Sequence, residues 1–126
     1  MSNLKTPLKR ARGLGSAKTG TEHFWQQRLT AIANIPLVLF FLAFVICNTG
    51  ASYETVRASL AHPVVAILIL FAFLSVLRHM RIGMQIVIED YVHGPAKYVL
   101  IILNTFYPIV VGAIALYGLV KIAFGG

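Results

Sequence analysis

Three stretches of this chain, at about residues 29–48, 63–89 and 97–123, run almost unbroken in apolar side chains. A hydrocarbon core about 30 Å thick takes about 20 helical residues to cross, and each stretch reaches that length. In lipid every backbone N–H and C=O must find its partner within the protein, so runs of this kind form α-helices. The pattern predicts an all-α integral membrane protein with three transmembrane helices. Residues 1–22 form a basic head and 23–126 the membrane domain. Composition agrees: of 126 residues, 58% are hydrophobic and 12% charged, against about half and about a quarter in soluble domains.

The net charge of +7 matters less than its placement. Lys5, Lys9, Arg10, Arg12 and Lys18 precede the first acid, Glu22. A basic segment beside a first span is retained on the inner side of the membrane, so the N-terminus is expected in the cytoplasm and the C-terminus in the periplasm. These cations lack the interleaved aromatics of a nucleic-acid platform, and nucleic acid is set aside as a partner. The first apolar run is too long for the core of a signal peptide and has no small-x-small cleavage site behind it. The head is acid-poor but short for a mitochondrial transit peptide, which favours a bacterial inner membrane. Cys47 is the sole cysteine; it permits no internal disulfide and reads as a small apolar filler.

Pro7, Gly13, Gly15 and Gly20 break up the head, which is expected to be mostly irregular. Phe24 and Trp25 suit an interfacial aromatic belt, and Arg28 lies just inside the start of the first span. His62-Pro63 and Gly94-Pro95 mark the starts of the second and third, because proline fits the first helical turn, where its missing N–H has no partner to lose. Pro36 and Pro108 are expected to bend their helices rather than end them. Gly112 and Gly118 offer places for another helix to come close.

The second run carries an anomaly, "RHMRIGMQIVIEDYVHG", residues 78–94. Ionisable groups inside a span are costly, and each is a candidate functional site. At about 100° per residue, the steps from His79 to Asp90 sum to three turns plus about 20°, so both lie on one face, about 16 Å apart along the axis. Ala72, Ser75, Gly83 and Ile86 share that face. The small residues Ser75 and Gly83 are expected to leave room beside the imidazole for a flat macrocycle, and imidazole is a good axial ligand for haem iron. The chemistry is equally that of a buried polar contact between helices or of a proton relay. His23, His62 and His93 fall at interfaces, so a second histidine ligand would have to come from a partner subunit with a span of its own. Arg78 and Arg81 either pair with haem propionates or snorkel towards the interface. Asp90 and Tyr91 end the run on the side of the basic head, where they could hold a quinone carbonyl and pass protons, or simply form an ordinary interfacial helix end.

"HMRIGMQIVIEDYV", residues 79–92, resembles the His-x-x-x-Gly-x-x-x-x-x-x-Asp-Tyr signature of the small membrane-anchor subunit of succinate dehydrogenase, the cytochrome b small subunit of complex II. "HFWQQRLTAIA", with Arg28 followed by Thr30 and Ala31, is similar to the start of that family's first span. The resemblance implies that His79 supplies one axial ligand of haem b, the other coming from the larger cytochrome b anchor subunit. It implies that Tyr91 hydrogen-bonds a ubiquinone carbonyl, that Asp90 helps organise that site, and that Arg28 lies near the quinone vestibule and the haem propionates. By the same resemblance the chain would not oxidise succinate itself. It would hold a flavoprotein subunit and an iron–sulfur subunit at the inner face, in a bundle completed by the larger anchor and membrane lipid.

Three other functions fit parts of the pattern. A small transporter subunit would use His79 and Asp90 as a proton path, but would need more polar residues than Asn34, Asn104 and Thr105 on the first and third spans. A structural anchor without a redox group would pack the His79 face against a helix. The anchor of a fumarate reductase would run the reverse reaction with a different quinone. No phosphate loop, paired cysteines or activated nucleophile accompanies these features.

Overall fold

The computed structural model describes residues 6–13 and 19–125. Among them run five helices and no strand: α1 (Pro7–Ala11), α2 (Thr19–Cys47), α3 (Tyr53–Ala61), α4 (Pro63–Tyr91) and α5 (Pro95–Ala123). α2, α4 and α5 are each 29 residues long, about 43 Å at 1.5 Å per residue. All three are long and apolar enough to span a membrane, as expected, and they overshoot its hydrocarbon by several ångströms at each end.

The helix boundaries differ from the sequence expectations in an informative way. The onset of apolar residues at Leu29 marks where α2 meets hydrocarbon, but the helix already begins at Thr19. The division placed between residues 22 and 23 therefore falls inside α2, whose first turns are polar and suited to the headgroup layer. Within the head, Pro7–Ala11 is helical rather than irregular; the same expectation for residues 1–5 and 14–18 lies outside the described residues. The connection at 51–61 holds a helix, α3, that no apolar run announced. Ser52 caps it, its hydroxyl accepting from the Thr55 N–H at 3.3 Å, and the helix is too short for a periodic apolar face to stand out.

The proline signals for the two helix starts hold. Pro63 and Pro95 occupy the first turns of α4 and α5. His62 caps α4 with its Nδ1, which accepts from the Val64 N–H at 3.3 Å, and Gly94 enters α5 at φ 73°, a left-handed conformation that glycine adopts without strain. Pro36 and Pro108 lie inside α2 and α5 without ending them.

α4 is the middle of the assembly. α2 packs on it and α5 packs on it, while no Cα of α2 comes within 8 Å of one in α5. Ser75, His79 and Gly83 meet α2, whereas Leu77 and Arg81 meet α5. A step of two residues is a turn of about 200°, so these pairs lie on opposite sides of α4. The buried apolar residues follow: Ile69, Ala72, Ile82 and Ile88 are on α4, Pro108 is on α5, and the spanning window of α2 contains none. Water would make so thin a layer unstable, but lipid tails solvate outward apolar side chains such as Ile32 and Ile114 as well as a core does. Since α2 and α4 run antiparallel, the start of α2 and the Asp90–Tyr91 end of α4 lie on one side of the membrane.

Candidate functional site

The site starts from one polar interhelical contact. Thr30 Oγ1 on α2 stands 3.1 Å from His79 Nδ1 on α4, and the ring is half-buried between the helices. The same hydroxyl lies 2.8 Å from the Gln26 carbonyl and 3.1 Å from the Gln27 carbonyl. A threonine hydroxyl has one proton, and carbonyls can only accept. With the hydroxyl proton turned to its own helix and an Nδ1–H on His79 donating to Oγ1, all three contacts are satisfied at once. In that tautomer Nε2, which has no partner among the described residues, keeps its lone pair, the donor arrangement an axial haem ligand needs. No group of three or more His, Cys, Asp or Glu side chains converges among the described residues, so the donor set here is one imidazole nitrogen.

The space expected beside His79 is not open on the side facing α2. One turn towards the start of α4, Ser75 Oγ donates to the Thr30 carbonyl at 3.4 Å; one turn towards its end, a Cβ on Gly83 would stand 3.2 Å from Gln27 Nε2. The small residues at 75 and 83 seat α2 instead of leaving a gap, because a helix approaches closely wherever its neighbour lacks bulk. Any flat group at Nε2 would lie towards another side of the ring.

Arg78 reaches across to α2 and donates to Gln26 Oε1. Gln26 Nε2 in turn lies 3.5 Å from Glu22 Oε1, so the acid orients the amide with its oxygen towards the guanidinium. Gln26 belongs to the first turns of α2, so Arg78 reaches towards the end of the bundle where α2 begins. Arg81 lies on the other flank of α4. With Arg78 it lines one part of a groove of about 560 Å³ whose walls include Leu74, Leu77, Pro108 and Ile109. Its carbonyl accepts from Asn104 Nδ2 at 2.9 Å.

The remaining expected site residues are not gathered around His79. Arg28 is exposed and stacks on its own helix, its Cζ 5.1 Å from the Phe24 ring centroid. Asp90 and Tyr91 are the last residues of α4, and Tyr91 is 80% exposed. Among the described residues neither side chain makes a hydrogen bond, and neither is joined to Arg28. They form an open polar end, on the side where α2 begins.

Gln27 Oε1 and Asn34 Oδ1 are buried acceptors with no donor among the described residues. With Thr30 they form a strip at spacings of three and four on α2, facing α4. That strip is the sequence signal for the contact: three polar residues at helical spacing in a run otherwise turning apolar. It was legible but was not read as a site.

The chain matches the family described as "Succinate dehydrogenase/Fumarate reductase transmembrane subunit" over residues 2–118. It is 32% identical to the succinate dehydrogenase hydrophobic membrane anchor subunit of Paracoccus denitrificans over 120 residues, covering 95% of this chain and 93% of that one. It is 34% identical over 90 residues to the corresponding subunit of Rickettsia bellii, covering 71% and 72%. With the succinate dehydrogenase membrane anchor subunit of Reclinomonas americana it shares 32% identity over 80 residues, 61% and 67% of the two chains. No solved structure matches it.

Proposed function

Because the chain belongs to the succinate dehydrogenase/fumarate reductase transmembrane subunit family, we propose that it anchors a succinate:ubiquinone oxidoreductase in a bacterial inner membrane, holds one side of haem b and forms part of the ubiquinone reduction site. The relatives described above all carry the succinate dehydrogenase name, which favours that direction over fumarate reduction. The N-terminus lies in the cytoplasm. The flavoprotein and iron–sulfur subunits dock on that face, and the larger cytochrome b anchor supplies the second axial histidine.

The observation that supports the haem assignment is the setting of His79: Nδ1 lies 3.1 Å from the Thr30 hydroxyl, which itself rests 2.8 Å from its own helix's Gln26 carbonyl, and Nε2 has no partner among the described residues. Bound there, haem b would supply a one-electron site within the membrane. The chain's own residues do the rest. His79 offers a neutral nitrogen, and the contacts of Ser75 and Gly83 with α2 hold its helix in place. At the inner end, the Tyr91 hydroxyl donates to a quinone carbonyl, and Asp90 beside it keeps that end polar and able to relay protons. Reducing ubiquinone to ubiquinol takes two electrons and two protons, so a reaction site must reach water, as the exposed end of α4 does. Arg28 adds positive charge near the same interface, where haem propionates and the quinone head would lie.

The deciding experiment is a dithionite-reduced minus oxidised spectrum of the complex purified from its native membrane, for wild type and His79→Ala. A b-type signal in wild type that is lost or altered in the variant supports the assignment. An intact complex without haem in either sample would leave His79 as a helix-packing residue.

A further inference from the structure

We propose that Thr30 is a positioning residue for the His79 imidazole, fixing its tautomer and strengthening Nε2 as a donor to the haem iron. This rests on the haem assignment above.

Three observations meet at this residue. First, the Thr30 hydroxyl lies 2.8 Å from the Gln26 carbonyl and 3.1 Å from His79 Nδ1, and the arrangement that satisfies both contacts has it donate to the carbonyl and accept from Nδ1–H. Reversing that bond would leave two acceptor oxygens 2.8 Å apart with no proton between them. Second, the Thr30 carbonyl accepts from Ser75 Oγ at 3.4 Å. Ser75 is one turn from His79 on the same face, so both ends of the Thr30 residue are tied to the helix that bears the ring. Third, on the inner side of the ring the close approach of Gln27 to Gly83 fixes how near α2 can come. The Oγ1–Nδ1 distance is therefore set by packing above and below it.

The electronic consequence follows from ordinary imidazole chemistry. An acceptor on Nδ1–H draws the proton outward and gives the ring more imidazolate character. The opposite nitrogen becomes a better donor, which favours ferric over ferrous iron and lowers the reduction potential. Metal-bound histidines usually hand this second N–H to a carboxylate, a carbonyl or water. Here a hydroxyl already polarised by a backbone carbonyl takes the place of those partners, in surroundings where water does not compete for the hydrogen bond.

The test compares Thr30→Val, which keeps the branched shape and removes the hydroxyl, with Thr30→Ser, which keeps the hydroxyl. Haem per flavin, midpoint potential and the ferric electron paramagnetic resonance spectrum are measured in each purified complex. The expected result for Thr30→Val is a potential shifted upward with a changed spectrum, or loss of haem from an intact complex, while Thr30→Ser stays close to wild type. A Thr30→Val complex with wild-type haem content and potential overturns the proposal. Should Thr30→Val fail to assemble, the ring tautomer decides. In the haem-free full chain in lipid vesicles, ¹⁵N shifts of His79, identified by loss in His79→Gln, should show a protonated Nδ1 and a bare Nε2. The opposite tautomer overturns the proposal. Haem retained with an unaltered spectrum in His79→Ala is a separate result, and it would sink the haem assignment itself.

Discussion

The side-chain amide of Gln27 lies against the bare backbone of Gly83: a Cβ placed on that glycine would stand 3.2 Å from Nε2. This is a tight approach between α2 and α4, one turn inward of the histidine. Gly83→Ala has only the tip of a flexible side chain to displace and is expected to be tolerated. Gly83→Leu must push α2 away and should cost about 1–3 kcal/mol, the usual range for overpacking. Unfolding by sodium dodecyl sulfate in mild detergent measures both. A Leu variant as stable as wild type would show that the two helices are not in contact at this level.

Arg78 on α4 is held against α2 by a neutral partner. Its guanidinium donates to Gln26 Oε1, and Glu22 steadies the far end of that amide. Gln26→Leu removes the acceptor and leaves a cation with only interfacial water to satisfy it, which should lower stability by about 1–3 kcal/mol. Gln26→Glu keeps an oxygen in reach and adds an opposite charge, so it should recover most of the loss. Comparing the yield and denaturation midpoint of the two variants checks this, and equal loss in both would argue against the contact.

The architecture was legible because lipid imposes a strong rule, and three apolar runs obey it. Pro63 and Pro95 marked two helix starts for a local steric reason that needs no knowledge of the fold. The start of α2 lies ahead of the apolar run because Thr19 to Arg28 is largely polar apart from Phe24 and Trp25, and a helix in the headgroup layer has no apolar stripe to betray it. α3 was missed because nine residues are too few for periodicity. Around His79, sequence spacing put Ser75, His79 and Gly83 on one face, but it could not say what that face meets. Small residues fit a cofactor and a close helix equally well. The α2 contacts of Ser75 and Gly83 decide for the helix on that side, and Thr30 emerges as the partner of His79 only once α2 is in place.

Asn104 tests the other side of α4. Its Nδ2 donates to the Arg81 carbonyl at 2.9 Å, a bond between helices, whereas the neighbouring Thr105 hydroxyl bonds within its own helix to the Ile101 carbonyl at 2.9 Å. Polar bonds between membrane helices average about 0.6 kcal/mol. Asn104→Leu should therefore destabilise the α4–α5 pair by about that amount, and Thr105→Ala should change it less. Denaturation midpoints of the two variants, measured side by side, give the answer; a larger effect at Thr105 would contradict the assigned contact.

Tyr91 ends α4 with an exposed hydroxyl that has no hydrogen-bond partner among the described residues. Tyr91→Phe removes one oxygen and leaves the ring, so helix and fold should be undisturbed. A lost hydrogen bond to a neutral carbonyl costs about 0.5–1.5 kcal/mol, equal to about a two- to twelvefold weaker hold on ubiquinone. Succinate oxidation by an artificial dye acceptor draws electrons before they reach the anchor and should be unchanged. Quinone reduction should show the rise in KM. The two assays on one preparation separate a quinone contact from a docking role: if both activities fall together, Tyr91 acts by holding the complex together. If neither falls, the open end of α4 is an ordinary interfacial helix end, and the quinone head lies elsewhere.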